Sequence, residues 1–252
     1  MPRPAFMTPI AHRGLHDRAA GIIENSRSAF DRAIAAGYAI ECDLQLTRDG
    51  VPIVFHDATL DRLTGRSGRV IDLTADEVCA IPLLGSSAGD TPQRFTELLD
   101  QVQGRVLLQV ELKHQTGAAT GMLAKSVADR ASAYAGPIAL ESFDPALVAL
   151  VSRFGFMGPR GIITERYERT DEDTAHLSPS RRRFLRHLLH WPWTRFDFIS
   201  ASKDAIDLPA IRFFRALGKP VTVWTIRSAV EAGATQSASD QIVFEGFTPG
   251  RD

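Results

Sequence analysis

An α/β protein built as a single (β/α)8 barrel of the TIM type is the fold this sequence predicts, and three observations predict it. Short apolar runs suited to strands recur along the chain, with helical or loop segments between them. Eight such runs remain once a hairpin return arm is set aside, because about five linking residues cannot make the crossover that a parallel neighbour needs. The length, 252 residues, suits one α/β barrel or two small domains and is ample for a large buried core.

The first run, Met7 to Ala11, ends in His12-Arg13-Gly14, an apolar strand delivering a polar tip as barrel staves do at their carboxyl ends. Glu24-Asn25 follows in a loop and serves equally well as a helix cap or as part of a site. Ala29, Phe30, Ala33, Ile34 and Ala36 then form one apolar helical side that Gly37 ends.

Residues 39–57, AIECDLQLTRDGVPIVFHD, read as a hairpin around Asp49-Gly50. A two-residue turn at that pair sets Asp43 opposite His56 and Glu41 opposite Ala58. Glu41 and Asp43 leave one face of the strand, and Cys42 leaves the other, into packing. The hairpin is expected above the barrel rather than within it.

Residues 57–104 are too long for a connection and too irregular for a stave, so they are expected to form an insertion that shapes the substrate mouth. Within it, Thr74 to Glu77 has capping-box spacing, and Thr91-Pro92 is expected to open a helix running to Gly104. Strands are then expected over 105–113, 137–143, 160–164, 196–202, 220–226 and 241–245. In the first of these, Gln109, Glu111 and Lys113 share a face.

The charge is balanced, with 29 Lys and Arg against 30 Asp and Glu, so nothing global recruits nucleic acid or an acidic membrane. Cys42 and Cys79 make no metal-ligand or redox pattern and are read as reduced thiols. No run approaches a membrane span. The short N-terminal segment before the first strand has no room for a cleavable signal, so a cytoplasmic home is expected.

Glu41, Asp43 and Glu111 fall on barrel-facing positions at strand ends, and three carboxylates suit one hard cation, Mg²⁺ or Ca²⁺. Arg13 and Lys113 add cations for phosphate oxygens, a planar fork and a point charge. His12 and His56 exchange protons near neutral pH, which phosphodiester cleavage needs at the nucleophile and at the leaving alcohol. Trp224 is either core or an apolar wall for substrate carbons, with the wall preferred.

His12-Arg13-Gly14, Glu24-Asn25, Glu41-x-Asp43, His56-Asp57, Glu111-x-Lys113, Ser142-Phe143 and Trp224-Thr225 follow one another as in the glycerophosphodiester phosphodiesterase family, which the chain resembles over almost its whole length. The resemblance implies hydrolysis of a small glycerophosphodiester to glycerol 3-phosphate and an alcohol. It implies His12 and His56 as the acid/base pair, Glu41, Asp43 and Glu111 as metal ligands, and attack by the glycerol 2-hydroxyl to give a cyclic phosphate. His12 is assigned as base and His56 as acid.

Two positions depart from the family pattern: Arg227 stands where Asn is usual after the tryptophan, and Glu245 where Asp is common in the last strand. Both are expected to bear on substrate choice.

Three rival readings remain, one of them a structural or scaffolding barrel whose ionisable groups are merely surface charge. A lysophospholipase D-type activity would use the same site with a greasier mouth, and a silent barrel would bind phosphodiesters without turnover. The stretch 178–193, with its arginines, Trp191 and Trp193, resembles an interfacial membrane helix but is read first as an outer barrel helix, apolar inward and basic outward.

Overall fold

The structure, a computed structural model, describes residue 6, residues 8–168 and residues 177–250. Through these the chain runs β1 (Ile10–Ala11), α1 (Arg27–Ala36), β2 (Ala39–Leu46), β3 (Pro52–Val54), α2 (Asp61–Thr64), α3 (Ala75–Cys79), β4 (Gln93–Arg94), α4 (Phe95–Val102) and β5 (Leu108–Leu112). It continues α5 (Ala118–Ala133), β6 (Ile138–Ser142), α6 (Pro145–Arg153), β7 (Arg160–Thr164), α7 (Pro179–Arg186), α8 (Trp191–Thr194), β8 (Phe198–Ser202), α9 (Pro209–Ala216), β9 (Val221–Ile226), α10 (Ala229–Thr235) and β10 (Gln241–Phe244).

Eight of these strands close a parallel (β/α)8 barrel in the order β1-β10-β9-β8-β7-β6-β5-β2, with β1 pairing β2 to complete the ring. The first stave is shorter than the predicted run: it is Ile10–Ala11, and Met7 lies outside the described residues. Cys42, Leu44, Val110, Leu112 and Leu140 alternate outward into the core beneath the helices, so their neighbours point into the barrel. Cys42 and Cys79 are free thiols.

Helix α1 shows how the first stave is anchored. The Ser26 hydroxyl accepts from the Ala29 amide, and Gly37, at φ 72°, ends the helix in the left-handed conformation that costs glycine least. Phe30 and Ala33 are fully buried beneath it. Gly14, at φ +79°, leaves no room for a side chain: an added Cβ would sit 2.9 Å from Ala29 Cβ and 2.9 Å from Phe30 Cδ1. The loop after β1 therefore lies flat on α1, and the Leu15 amide donates to the Ala29 carbonyl at 3.0 Å.

The amino half of β2 belongs to the barrel, where Ile40 to Leu44 pair with β5, and the carboxyl half leaves it to pair antiparallel with β3. The hairpin thus rises off the barrel, but its register differs from the predicted one by a residue. The Thr47 amide donates to the Val51 carbonyl and the Gly50 amide to the Thr47 carbonyl, so the turn holds Arg48, Asp49 and Gly50, not two residues. Gly50, at φ +78°, takes the left-handed position that a three-residue hairpin loop requires. Leu44 then stands opposite Val54, and the Phe55 amide bonds the Asp43 carbonyl at 3.0 Å. Asp43 therefore faces Phe55, not His56, and Glu41 does not face Ala58. Strand β3 stops at Val54, and His56 lies in the bend beyond it.

Residues 57–104 pack over their own apolar cluster, in which Phe55, Leu60, Leu63, Val78 and Ile81 are buried. The capping box at Thr74 and Glu77 forms. Thr91-Pro92 does not open a helix: Gln93 and Arg94 first pair with β3 as β4, because the outer edge of β3 still carries backbone groups in need of partners. Helix α4 begins at Phe95, with Glu97 accepting from the Arg94 amide at 2.7 Å.

On the far side, Ser178 caps α7 and Pro179 opens its first turn. Leu185 and Leu188 are buried while Leu189 and Trp193 face out. Among the described residues, no helix is long and apolar enough to cross a membrane.

Candidate active site

Strand register builds the centre of the site. Asp43 on β2, Glu111 on β5 and Glu141 on β6 are successive partners across the parallel sheet, so their side chains enter the barrel at one level. Glu41 lies two residues below Asp43 on the same face. Carboxylate oxygens of Glu41, Asp43 and Glu111 all lie within 4.8 Å of one another, and all three residues are buried.

Cations and dipoles converge on them. Lys113, just past β5, places Nζ 2.8 Å from Asp43 Oδ1 and 2.9 Å from Glu111 Oε2. Asn25, at φ 55°, donates from Nδ2 to Asp43 Oδ2 at 2.7 Å and accepts from the Asp43 amide. The Arg13 amide donates to Glu41 Oε2 at 2.9 Å, and Arg13 Nε lies 3.4 Å from Asp43 Oδ2.

The acidities follow from this packing. Burial alone would raise Asp43, but Lys113, His56 and Arg13 hold it well below the usual carboxylate range. Burial and the neighbouring charges of Asp43 and Glu111 push Glu41 well up. Burial also raises Glu111, against the pull of Lys113, and lifts Glu141 to about 8. The pocket thus carries more carboxylate than its own cations neutralise.

His12 follows β1, with Nε2 3.9 Å from Glu41 Oε2 and Nδ1 2.5 Å from Glu245 Oε2. The His12 hydrogen bond and the nearby His16 ring, 3.7 Å away, keep Glu245 well below the ordinary range. Glu245 is therefore ionised and the His12 Nδ1 carries the shared proton, which leaves Nε2 as the free nitrogen. Burial lowers the His12 pKa, and the Glu245 hydrogen bond works against that.

His56 joins the site despite the shifted register, since its charge is close enough to act on both Asp43 and Glu111. Its Nδ1 is 2.7 Å from Asp57 Oδ1. Arg62 grips Asp57 through Nε and Nη2 and Glu24 through Nη1 and Nη2, and Glu24 in turn bonds Arg13 Nη1 at 2.7 Å. This chain of ion pairs ties the loop that carries Arg13 to the loop that carries His56. Two arginines hold Glu24 at about 2, against the effect of burial. Ser26, not Glu24 or Asn25, is the helix cap, and those two residues instead bond Arg13 and Asp43.

The structure thus gathers His12, Arg13, Glu41, Asp43, His56, Glu111 and Lys113 at one mouth. Trp224 packs edge-on against Phe143 with centroids 5.7 Å apart. Two residues and one contact had escaped sequence reasoning: Glu141, whose alternation with the buried apolar residues of β6 was a usable signal, His16, and the contact of Glu245 with His12. The last two depend on how a loop and a strand end meet across 233 positions, which no local pattern reports.

Residues 12–243 match the model of the glycerophosphoryl diester phosphodiesterase family. The chain belongs to this family. Curated relatives include glycerophosphodiester phosphodiesterase 1 of Bos taurus, 42% identical over 74 residues, which are 29% of this chain and 21% of that protein. Another is the glycerophosphodiester phosphodiesterase of Caldanaerobacter subterraneus, 46% identical over 70 residues, 27% of this chain and 28% of that one. The matched stretch thus spans about a quarter of the length of these curated relatives.

Solved structures share the fold. An Oleispira antarctica phosphodiesterase, solved in complex with the product sn-glycerol-3-phosphate, superposes with a TM-score of 0.76 at 19% identity, covering 94% of this chain and 91% of that one. The glycerophosphodiester phosphodiesterase of Thermotoga maritima gives 0.69 at 22% identity, covering 94% of each.

Proposed function

We propose that this family member hydrolyses glycerophosphodiesters to glycerol 3-phosphate and an alcohol, with Glu41, Asp43 and Glu111 holding one divalent cation, Mg²⁺ or Ca²⁺. The observation that carries the reading is Lys113: a buried ammonium bridges Asp43 and Glu111, so the cluster already gathers positive charge about its oxygens. Hard carboxylate oxygens fit a hard cation, and burial together with the neighbouring carboxylates raises the pKa of Glu41 and Glu111, a penalty that a divalent ion would offset. Such an ion, when bound, polarises a phosphoryl oxygen and neutralises charge as the ester bond breaks.

The remaining work falls to the side chains. Arg13 and Lys113 bind phosphate oxygens and fix the phosphorus between the histidines. His12, its Nδ1 proton held by Glu245, takes the proton of the attacking hydroxyl at Nε2. His56, steadied by Asp57, returns a proton to the oxygen of the departing alcohol. Trp224 and Phe143 give an apolar wall for glycerol carbons, and residues 57–104 border the mouth.

The test is turnover of glycerophosphocholine, glycerophosphoethanolamine and a lysophospholipid with Mg²⁺, Ca²⁺ or EDTA, reading glycerol 3-phosphate, lysophosphatidic acid and free alcohol. Metal-dependent release of glycerol 3-phosphate, lost in His12→Ala and His56→Ala, is expected. Release of lysophosphatidic acid alone would favour the lysophospholipase D reading. Phosphodiester binding with no turnover in any form would mean a silent barrel.

A further inference from the structure

Beside the carboxylate cluster lies a second group of ligand atoms of different chemistry. His12 Nδ1, His16 Nε2 and a Glu245 oxygen lie within 4.8 Å of one another, and all three residues are partly exposed. Glu245 Oε2 is 2.5 Å from His12 Nδ1 and 3.7 Å from His16 Nε2. That His16 nitrogen is itself shielded from solvent and has no hydrogen-bond partner, although a buried ring nitrogen ordinarily finds one. Arg227 Nη2 and Nε hold the other Glu245 oxygen, Oε1, at 2.7 and 2.8 Å, which leaves Oε2 as the single oxygen turned to the histidines.

We propose that His12, His16 and Glu245 form a second, inhibitory cation site, which takes imidazole-seeking divalent ions of the Zn²⁺ class and stops the reaction by claiming His12. The proposal rests on the function proposed above only for its inhibitory half.

Two imidazoles and one carboxylate are a donor set that zinc accepts, with a fourth position left for water. Bonds of ~2.1 Å set neighbouring ligand atoms about 3.4 Å apart in a tetrahedron, so both measured separations reach that value by moving less than ~1 Å. The backbone keeps the parts in place. The Glu245 amide bonds the Ile226 carbonyl, and the bridge between Asp17 and Ile22 pins the loop next to His16. Mg²⁺ and Ca²⁺ prefer oxygen and would stay with the three buried carboxylates, whereas imidazole donors select transition ions.

The chemistry of inhibition is a matter of one proton. A neutral imidazole that ligates through Nδ1 carries its proton on Nε2, the nitrogen that faces Glu41. Nδ1 releases to solvent the proton it gave to the Glu245 hydrogen bond and Nε2 takes one up, so the ring stays neutral and Nε2 has no lone pair with which to accept another. His12 is then a ligand and no longer a base.

Zn²⁺ binding is measured on the full-length protein by titration calorimetry in saturating Mg²⁺, with Co²⁺ absorption reporting imidazole ligation, for wild type and His16→Gln. One Zn²⁺ that Mg²⁺ does not displace is expected in wild type, weakened roughly 10-fold or more in His16→Gln. Zn²⁺ should inhibit wild-type diesterase activity in saturating Mg²⁺, and His16→Gln, measured against its own Zn²⁺-free rate, should resist Zn²⁺ by a similar factor. Equal Zn²⁺ affinity in the two proteins, or displacement of Zn²⁺ by Mg²⁺ in both, would overturn the site. If neither protein turns over any diester, the calorimetric and Co²⁺ results still decide the site, and only the function proposed above falls.

Discussion

Arg227 and Glu245 are bound to each other, with Nη2 2.7 Å and Nε 2.8 Å from Oε1. These are the two positions at which the chain departs from its family's motifs, and they are one feature rather than two. Arg227 holds the carboxylate that holds His12, so the departures bear on the residue proposed as proton carrier.

Replacing Glu245 by Gln should therefore lower kcat roughly 10- to 100-fold, with KM little changed, because His12 loses the partner that fixes its tautomer. Glu245→Asp should recover part of the loss and shift the pH profile of kcat back toward wild type. Arg227 is more than half exposed, so Arg227→Ala should cost much less. Steady-state kinetics across pH checks this, and an unaltered kcat in Glu245→Gln would remove Glu245 from the mechanism.

Lys113 occupies the cluster that the cation is proposed to share. Lys113→Met should leave Asp43 and Glu111 without their ammonium, lowering the melting temperature in EDTA through an uncompensated buried charge. Added Mg²⁺ or Ca²⁺ should then raise the melting temperature of the variant by more than that of wild type, since binding to the folded state alone stabilises it. Thermal melts with and without metal test this, and equal metal-induced shifts would refute it.

Gly14 carries the bend between His12-Arg13 and α1. Gly14→Ala adds a methyl against Ala29 and Phe30 and places a side chain at φ +79°. Overpacking of this kind costs about 1–3 kcal/mol, and the left-handed backbone adds to it. Chemical denaturation should show that loss, and kcat should fall with it because the same loop positions His12.

His190 is fully buried among Phe184, Trp193 and Phe196, and burial, with Arg181 adding to it, lowers its pKa from 6.5 to about 4. The unfolded chain binds the proton first as pH falls. Its contribution to stability is therefore intact above about 6.5 and is lost as pH falls toward 4, by about 3 kcal/mol in all. His190→Leu should flatten the stability profile between those limits; an unchanged slope in urea titrations would show that other groups carry it.

The barrel and its carboxylates were legible because each signal was local. Alternation placed Glu41, Asp43 and Glu111 inward, and the adjacent register of β2 and β5 brought them together. The hairpin was legible in kind but not in register: Asp49-Gly50 fits a two-residue turn and the last two positions of a three-residue loop equally well, and a shift of one residue exchanges all cross-strand partners. His56 lies in the bend beyond β3, where its ring bonds Asp57 and its charge acts on Asp43 and Glu111, while the predicted pairing with Asp43 does not form. Glu24 and Asn25 were undecided between cap and site because Ser26, one residue on, has the same capping chemistry.

The ring of strands has a seam. The two-residue strand Ile10–Ala11 is what pairs with both β2 and β10, and His12 and Glu245 are the next residues on its two sides, since His12 follows β1 and Glu245 follows β10. Their hydrogen bond therefore works as a clasp across the place where the cylinder is narrowest in backbone pairing. Parting that seam separates the histidine from its carboxylate while the other seven strands stay together, so the proton transfer proposed for His12 is wired to the integrity of the closure itself.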